Sequence, residues 1–330
     1  MGAVQAQDYN GAKWALGQRL QKVNDEIIEK AFAEGKILRT HVMRPTWHFV
    51  SAKDIRWLLQ LTAPRVNSSI GSYYRKFELD GTAFKSSRKA IVTALNGGRQ
   101  LTREALRSAL EEAGISAKGL RFIFILARAE LDALICSGAR QGKQFTYALL
   151  DERVNTKTTW ERDEALVELT RRYYASHGPA TREDFAWWSG LSVADTKAGI
   201  SMAGRYLAEE TLGGKKYWRS SSSANSKVIS PIAHLLPTYD EYLIGYRDRS
   251  AAFDSANMLR LKSNPISSSP IVINGRVAGI WKGSLRRKGA LVELRLFRRC
   301  TRNERLAIDE AAERYGEFLG TKVEIAIAGR

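Results

Sequence analysis

The sequence predicts an α+β protein: tandem winged-helix (helix-turn-helix) units followed by a small β-barrel-like domain. Three observations predict it. An outline of helix, helix and short hairpin recurs three times, and a repeat of one supersecondary unit carries more weight than any single copy. A serine run, Ser220 to Ser223 with Asn225 and Ser226, marks a linker. Beyond it the chain turns strand-rich. At 330 residues two to four compact units are expected. They are placed at 1–95 (first unit and a connector), 96–158, 159–220 and 227–330.

In the first unit, Ala12 to Leu20 has apolar residues at helical spacing, with Asp8 or Asn10 as cap. A second helix runs from Asn24 through Phe32, and Gly35 stops it. The period then changes to two: Ile37 to Arg44 and Thr46 to Val50 are strands with Pro45 between them, and Ser51 opens a new helix. From Pro64 to about Ala94 polar residues and aromatics mix irregularly, which suggests a helical connector.

In the second unit, Thr102 caps a helix that Gly114 breaks, and a longer helix spans Lys118 to about Leu134. Strands at Ile135-Cys136 and Gln144 to Leu149 flank the basic tip Ser137 to Lys143. In the third, a helix over Glu161 to Ser176 leads to Gly178-Pro179-Ala180-Thr181, a short helix to Trp188, the turn Gly190-Leu191-Ser192, and a helix to Ala203. Leu207 to Thr211 and Tyr217-Trp218-Arg219 then flank Gly213-Gly214-Lys215-Lys216. Trp57, Trp187 and Trp188 fall on apolar helix faces and are assigned to the core.

The last domain offers strands at Ile229, Leu235 to Tyr242, Ile271-Val272-Ile273, Val277 to Trp281 and Leu291 to Phe297, with an Asn274-Gly275 hairpin turn. A helix from Asn303 to about Leu319 and a strand at Val323 to Ile327 close it. Between Trp281 and Arg302 stand eight basic residues (Lys282, Arg286, Arg287, Lys288, Arg295, Arg298, Arg299, Arg302) against one acid, Glu293.

Charge sets the partner. There are 52 Lys and Arg against 35 Asp and Glu, a net +17, in a chain of ordinary hydrophobicity. That favours a polyanion, nucleic acid first and anionic membrane second. Cys136 and Cys300 stand apart, and His41, His48, His177 and His234 have no metal-ligand spacing, so no metal is expected. No signal-like segment opens the chain, and the longest strongly apolar run, Phe122 to Ala127, is too short to span a bilayer. A cytoplasmic, nucleoid-associated protein that needs no membrane is the expectation.

Near the start lies Val4-Gln5-Ala6-Gln7-Asp8-Tyr9. If extended, it presents Gln5 and Gln7 on one face. Two amides can hold and orient a water without carrying charge. An exposed strand with two polar residues would look the same.

These residues, with Arg39 to Val50 and Leu236 to Arg249, resemble the AlkZ and YcaQ family of winged-helix DNA glycosylases. The resemblance implies three winged-helix units cradling double-stranded DNA with alkylated bases, then a β-barrel domain. It implies excision of N7-alkylated purines and, in some members, unhooking of interstrand crosslinks, with no metal and no organic cofactor. The Gln-aliphatic-Gln form, Gln5-Ala6-Gln7, matches the AlkZ-like branch. Members usually carry a helical segment ahead of the pair, where this chain has Met1-Gly2-Ala3; either the recorded start is short or the first unit lacks that helix. Gln5 and Gln7 are the catalytic candidates. Arg44, His48, Arg140, Lys143, Lys215, Lys216, Tyr239 and Asp240 are the DNA-contact candidates, with structural hydrogen bonding as the competing role for Arg44, His48, Tyr239, Asp240 and Tyr242. A monomer suffices for lesion repair. A non-catalytic winged-helix DNA-binding protein or regulator is the alternative, and an RNA-binding protein the third reading.

Overall fold

The computed structural model describes residues 1–155, 160–222, 230–253 and 267–327. The chain is mixed α+β and divides into two compact units. One comprises Met1–Ala3 and Glu29–Ser220, the other Val4–Ile28 and Ser221–Arg330. The proposed linker residues Ser223, Asn225 and Ser226 and the strand at Ile229 lie outside the described residues.

The first unit takes up the chain at Glu29 within α2 (Asp25–Ala33), which gives way to β2 (Ile37–Val42) through Gly35, whose φ of +75° suits the break. β2 pairs antiparallel with β3 (Arg44–Ser51). The turn falls at Met43, φ +63°, and Pro45 is already inside β3. This corrects the expected turn at Pro45. The register shifts between His41 and Val42, and at such a bulge the missing proline N–H costs no ladder bond.

The connector from Pro64 to about Ala94 is helical as expected, made of the end of α3 (Ile55–Ser69), α4 (Gly71–Lys76) and α5 (Gly81–Leu95). Pro64 lies within α3. An interior proline costs about 3 kcal/mol. Burial of Ile55, Trp57, Leu58, Leu59, Leu61 and Val66 along the same helix offsets that cost.

Two further helix, helix, hairpin sets follow. β4 (Leu101–Thr102) leads into α6 (Arg103–Glu112), where the Thr102 hydroxyl accepts from the Ala105 N–H. Then come α7 (Gly119–Leu131), β5 (Ile135–Ser137) and β6 (Thr146–Leu149), in a sheet of order β4-β6-β5. After α8 (Leu150–Arg153), the last set is α9 (Arg162–His177), α10 (Arg182–Ser189), α11 (Val193–Ala203) and the hairpin β7 (Leu207–Leu212) with β8 (Lys215–Ser220). Thr181 and Asp184 form a reciprocal capping box on α10, and Ser192 and Asp195 another on α11. Tyr173, Tyr174, Phe185 and Trp188 pack ring on ring beneath them, all fully buried. Trp57 is buried as expected, but Trp187 is 41% exposed. Neighbouring helical residues point about 100° apart, so Trp188 takes the core and Trp187 cannot.

In the second unit, β1 (Val4–Gln5) runs into α1 (Tyr9–Gly17), whose first turn Asp8 caps by accepting from the Gly11 N–H. Beyond Ser221 come β9 (Ala233–Leu235), α12 (Glu241–Ile244), β10 (Pro270–Ile273), β11 (Arg276–Arg286), β12 (Gly289–Leu296), α13 (Arg302–Leu319) and β13 (Val323–Ile327). The sheet order is β13-β12-β11-β10-β9. The Asn274-Gly275 turn has both φ positive, +49° and +80°, as a two-residue hairpin turn requires. Among the described residues no pairing joins β9 to β13, so this is an open sheet and not the expected barrel. The cause is α13: a helical crossover returns β13 parallel to β12, and the sheet keeps a free edge. The strand expected over Leu235 to Tyr242 also ends early. Tyr239 adopts φ +61°, and Asp240 caps α12. The indoles of Trp14 and Trp281 donate to the Leu235 and Leu236 carbonyls, both at 2.7 Å, fixing the chain before that turn.

Among the described residues, no helix is long and apolar enough to cross a membrane.

Candidate active site and nucleic-acid interface

Gln5 ends β1 and is 9% exposed, whereas Gln7 lies in the bend before α1 and is exposed. The extended run expected through both glutamines therefore stops at the first. What holds Gln5 comes from far along the sequence: its backbone N–H donates to Glu241 Oε1 at 2.8 Å, and Glu241 is 1% exposed. Glu241 stands in the first turn of α12, directly after the capping residue Asp240.

Asp240 is itself buried and doubly gripped. Arg19 reaches its two oxygens at 2.9 and 2.6 Å, and the Tyr242 N–H donates to it at 2.8 Å. Burial alone would lower the Arg19 pKa, but the Asp240 carboxylate outweighs it and raises it. Tyr242 donates its hydroxyl to the Gly275 carbonyl at 2.6 Å, and burial pushes its phenol pKa up. The Tyr-Asp-Glu-Tyr block is thus a hydrogen-bonded network within the second unit. Tyr239 is half-buried at the turn that precedes it.

The remaining candidates belong to the first unit. Arg44 and His48 share one side of β3, Arg44 Nη2 standing 3.5 Å from His48 Nε2. His48 is fully buried and bonds the Thr46 carbonyl through Nδ1 at 2.9 Å, while Arg44 is half-buried. Arg140 lies over the Phe145 ring and pairs with Glu29 at 3.5 Å. Lys143 is exposed at the β5–β6 tip. Lys215 and Lys216 are exposed at the start of β8, not in the turn, and Lys216 pairs with Glu209 at 2.7 Å.

Sequence reasoning missed four functional-looking groups. The Arg39 guanidinium is sandwiched between Trp47, 4.2 Å away, and Phe145, 4.6 Å away. Arg39 and Trp47 are diagonal neighbours in the β2–β3 ladder, a relation the alternation already contained. Glu130 is a buried acid that bonds both the ring and the backbone N–H of His41. Its place four residues after Leu126 on an apolar helix was the available signal. Arg19 and Glu241 had no such local signal. Among the described residues no group of three His, Cys, Asp or Glu side chains could hold a metal ion.

The α+β fold is shared with a known structure: the chain superposes on Streptomyces sahachiroi DNA glycosylase AlkZ with a TM-score of 0.78, at 21% identity, covering 99% of this chain and 91% of that one. In sequence it is 24% identical over 316 residues to the interstrand DNA cross-link repair glycosylase of Streptomyces sahachiroi, across 84% of this chain and 79% of that protein. The model of the DNA glycosylase AlkZ-like family matches residues 1–318, and the chain belongs to that family.

Proposed function

We propose that this protein hydrolyses the N-glycosidic bond of N7-alkylated purines in double-stranded DNA, and that it unhooks interstrand crosslinks built on such adducts. The observation that carries the reading is Gln5: a neutral amide, buried and held by its backbone, two residues before a second, exposed amide. Uncharged groups suffice only for an activated substrate. Alkylation at N7 makes the purine cationic. The C1′–N9 bond then breaks with its electron pair going to a base that leaves neutral, so no acid is needed. Water adds at C1′ and releases its proton to solvent. Gln5 and Gln7 hold that water and orient its lone pair. The crosslink activity rests on the name of the Streptomyces relative.

The three helix, helix, hairpin sets are proposed to be winged-helix units, at 1–95, 96–158 and 159–220, ahead of a domain at 227–330. Their basic tips, with Arg140, Lys143, Lys215 and Lys216, are proposed to meet phosphate, and Arg44 and His48 to lie beside the duplex. The protein acts as a monomer in the cytoplasm.

The test is a duplex carrying one N7-methylguanine, incubated with the protein and heated in alkali. Strand scission at that site is expected, and its loss in a Gln5→Ala/Gln7→Ala double variant. Binding without scission would favour a non-catalytic regulator. Preference for RNA over the alkylated duplex would favour an RNA-binding protein.

A further inference from the structure

The Asp240-Glu241 pair closes a ring of contacts around the candidate catalytic segment. Gln5 and Gln7 lead through the Asp8 cap into α1, and just past its end the Arg19 side chain folds back one turn to the Ala15 carbonyl at 2.9 Å. From there Arg19 grips Asp240 through both terminal guanidinium nitrogens. Asp240 caps α12, which fixes the next residue, Glu241, and Glu241 returns to the Gln5 N–H. The segment from Gln5 to Arg19 is therefore held at its two ends by two consecutive acids.

A buried carboxylate is costly unless hydrogen-bonded, and a backbone N–H given to an ionised acceptor forms a short, strong bond. We infer that Glu241 is a positioning residue for excision, its carboxylate fixing the backbone of Gln5 so that the Gln5 amide meets the attacking water in one orientation. This rests on the assignment of Gln5 to catalysis. The chemistry explains why the device is needed. Neither amide carries charge, so the rate depends on where each sits, and a displacement of about 1 Å is enough to cost about a hundredfold. Asp240 and Arg19 act one step further out, by fixing α12.

The experiment compares Glu241→Ala, Glu241→Gln and Gln5→Ala in the full chain. It measures single-turnover release of N7-methylguanine, affinity for a duplex with a tetrahydrofuran abasic analogue, and thermal unfolding. Glu241→Gln keeps an oxygen that can accept the Gln5 N–H. The expected result is a roughly hundredfold slower release for Glu241→Ala with duplex affinity within about twofold, and recovery to within about fivefold in Glu241→Gln. Adding Glu241→Ala to Gln5→Ala should slow release no further, because both act through one group. Wild-type release by Glu241→Ala overturns the inference while leaving the Gln5 assignment standing, provided Gln5→Ala is slow. Equal losses in Glu241→Ala and Glu241→Gln overturn it too, since charge and not the hydrogen bond would then matter. If Glu241→Ala unfolds, Glu241→Gln decides alone: release slowed a hundredfold in a folded protein overturns the inference. Wild-type release by Gln5→Ala removes the catalytic assignment itself.

Discussion

Arg19 holds Asp240 by both terminal guanidinium nitrogens, at 2.9 and 2.6 Å, with the aspartate side chain wholly removed from solvent and the arginine 28% exposed. Removing one partner of a buried pair leaves the other charge uncompensated. Arg19→Met is therefore expected to destabilise the fold by about 3 kcal/mol, the lower end of the range for such pairs because Arg19 keeps some contact with water. Denaturant unfolding of the purified variant checks this. A midpoint equal to wild type would show that the pair contributes nothing.

Gly190 is the left-handed cap that ends α10, φ +69°, and a Cβ placed there would stand 2.0 Å from the Met43 carbonyl oxygen. The turn between α10 and α11 thus rests on the turn between β2 and β3, and only glycine supplies both the conformation and the clearance. Gly190→Ala combines a strained φ with a backbone clash and is expected to cost about 3 kcal/mol. Gly114, also at positive φ, has nothing within 4 Å of such a Cβ. Gly114→Ala should cost about 1 kcal/mol, from conformation alone. The ratio of the two losses in calorimetry is the measurement.

Glu304 sits at the third position of α13, where it accepts from the Thr301 N–H and from both terminal nitrogens of Arg298. The Arg298 hydrogen bonds lead in lowering its pKa to about 2, well below the usual carboxylate range, against the opposing effect of burial. A carboxyl whose folded pKa is depressed adds stability above its unfolded pKa and loses it as pH falls through the folded one. The stabilisation should be complete above about pH 5 and disappear between about 4.5 and 2. Arg298 is exposed, so solvent screening leaves about 1 kcal/mol. The stability difference between wild type and Glu304→Gln, followed from pH 7 to pH 2, should shrink across that interval. A pH-independent difference would assign the loss to the cap and not to the charge.

Local chemistry was legible in the sequence and long-range pairing was not. Asp8, Thr102 and Thr181 cap the helices they precede, and Asn274-Gly275 makes its hairpin, because each depends on residues within four positions. The two contacts that shape the candidate site join Gln5 to Glu241 and Arg19 to Asp240 across 236 and 221 positions, and no periodicity encodes them. Local signals also misled where tertiary burial outweighed them. The connector expected to begin at Pro64 in fact shares α3 with the helix before it, and the strand-like Leu235 to Tyr242 turns at Tyr239 to place two acids inside.

The exposed lysines divide by what already neutralises them. Lys216 pairs with Glu209 at 2.7 Å, whereas Lys143 stands at the tip of a hairpin whose neighbouring arginine, Arg140, is turned onto Glu29. A phosphate contact contributes about one counterion to the salt dependence of duplex binding, and a lysine already paired has less to give. Lys143→Ala is expected to reduce the magnitude of the slope of log affinity against log salt by about 1, and Lys216→Ala by clearly less. Fluorescence anisotropy with an undamaged duplex across a salt series gives both slopes. Equal slopes for the two variants would remove the distinction.

The two glutamines should not contribute equally. Gln5 is buried with its backbone bound to Glu241, and Gln7 is exposed in a bend. A group held in place aligns water without a further loss of freedom, whereas an exposed side chain must be ordered at each turnover. Gln5→Ala should therefore slow single-turnover release of N7-methylguanine by about a hundredfold or more, and Gln7→Ala by about tenfold. Glutamate at the exposed position is informative as well. A carboxylate accepts a proton better than an amide, so Gln7→Glu should retain activity and acquire a dependence on pH near the ordinary glutamate pKa of about 4.3. The same change at Gln5, which is buried, would put a second charge out of water on a residue whose backbone already binds Glu241, and should destabilise the protein. A larger loss in Gln7→Ala than in Gln5→Ala would transfer the principal hold on the water to the exposed amide.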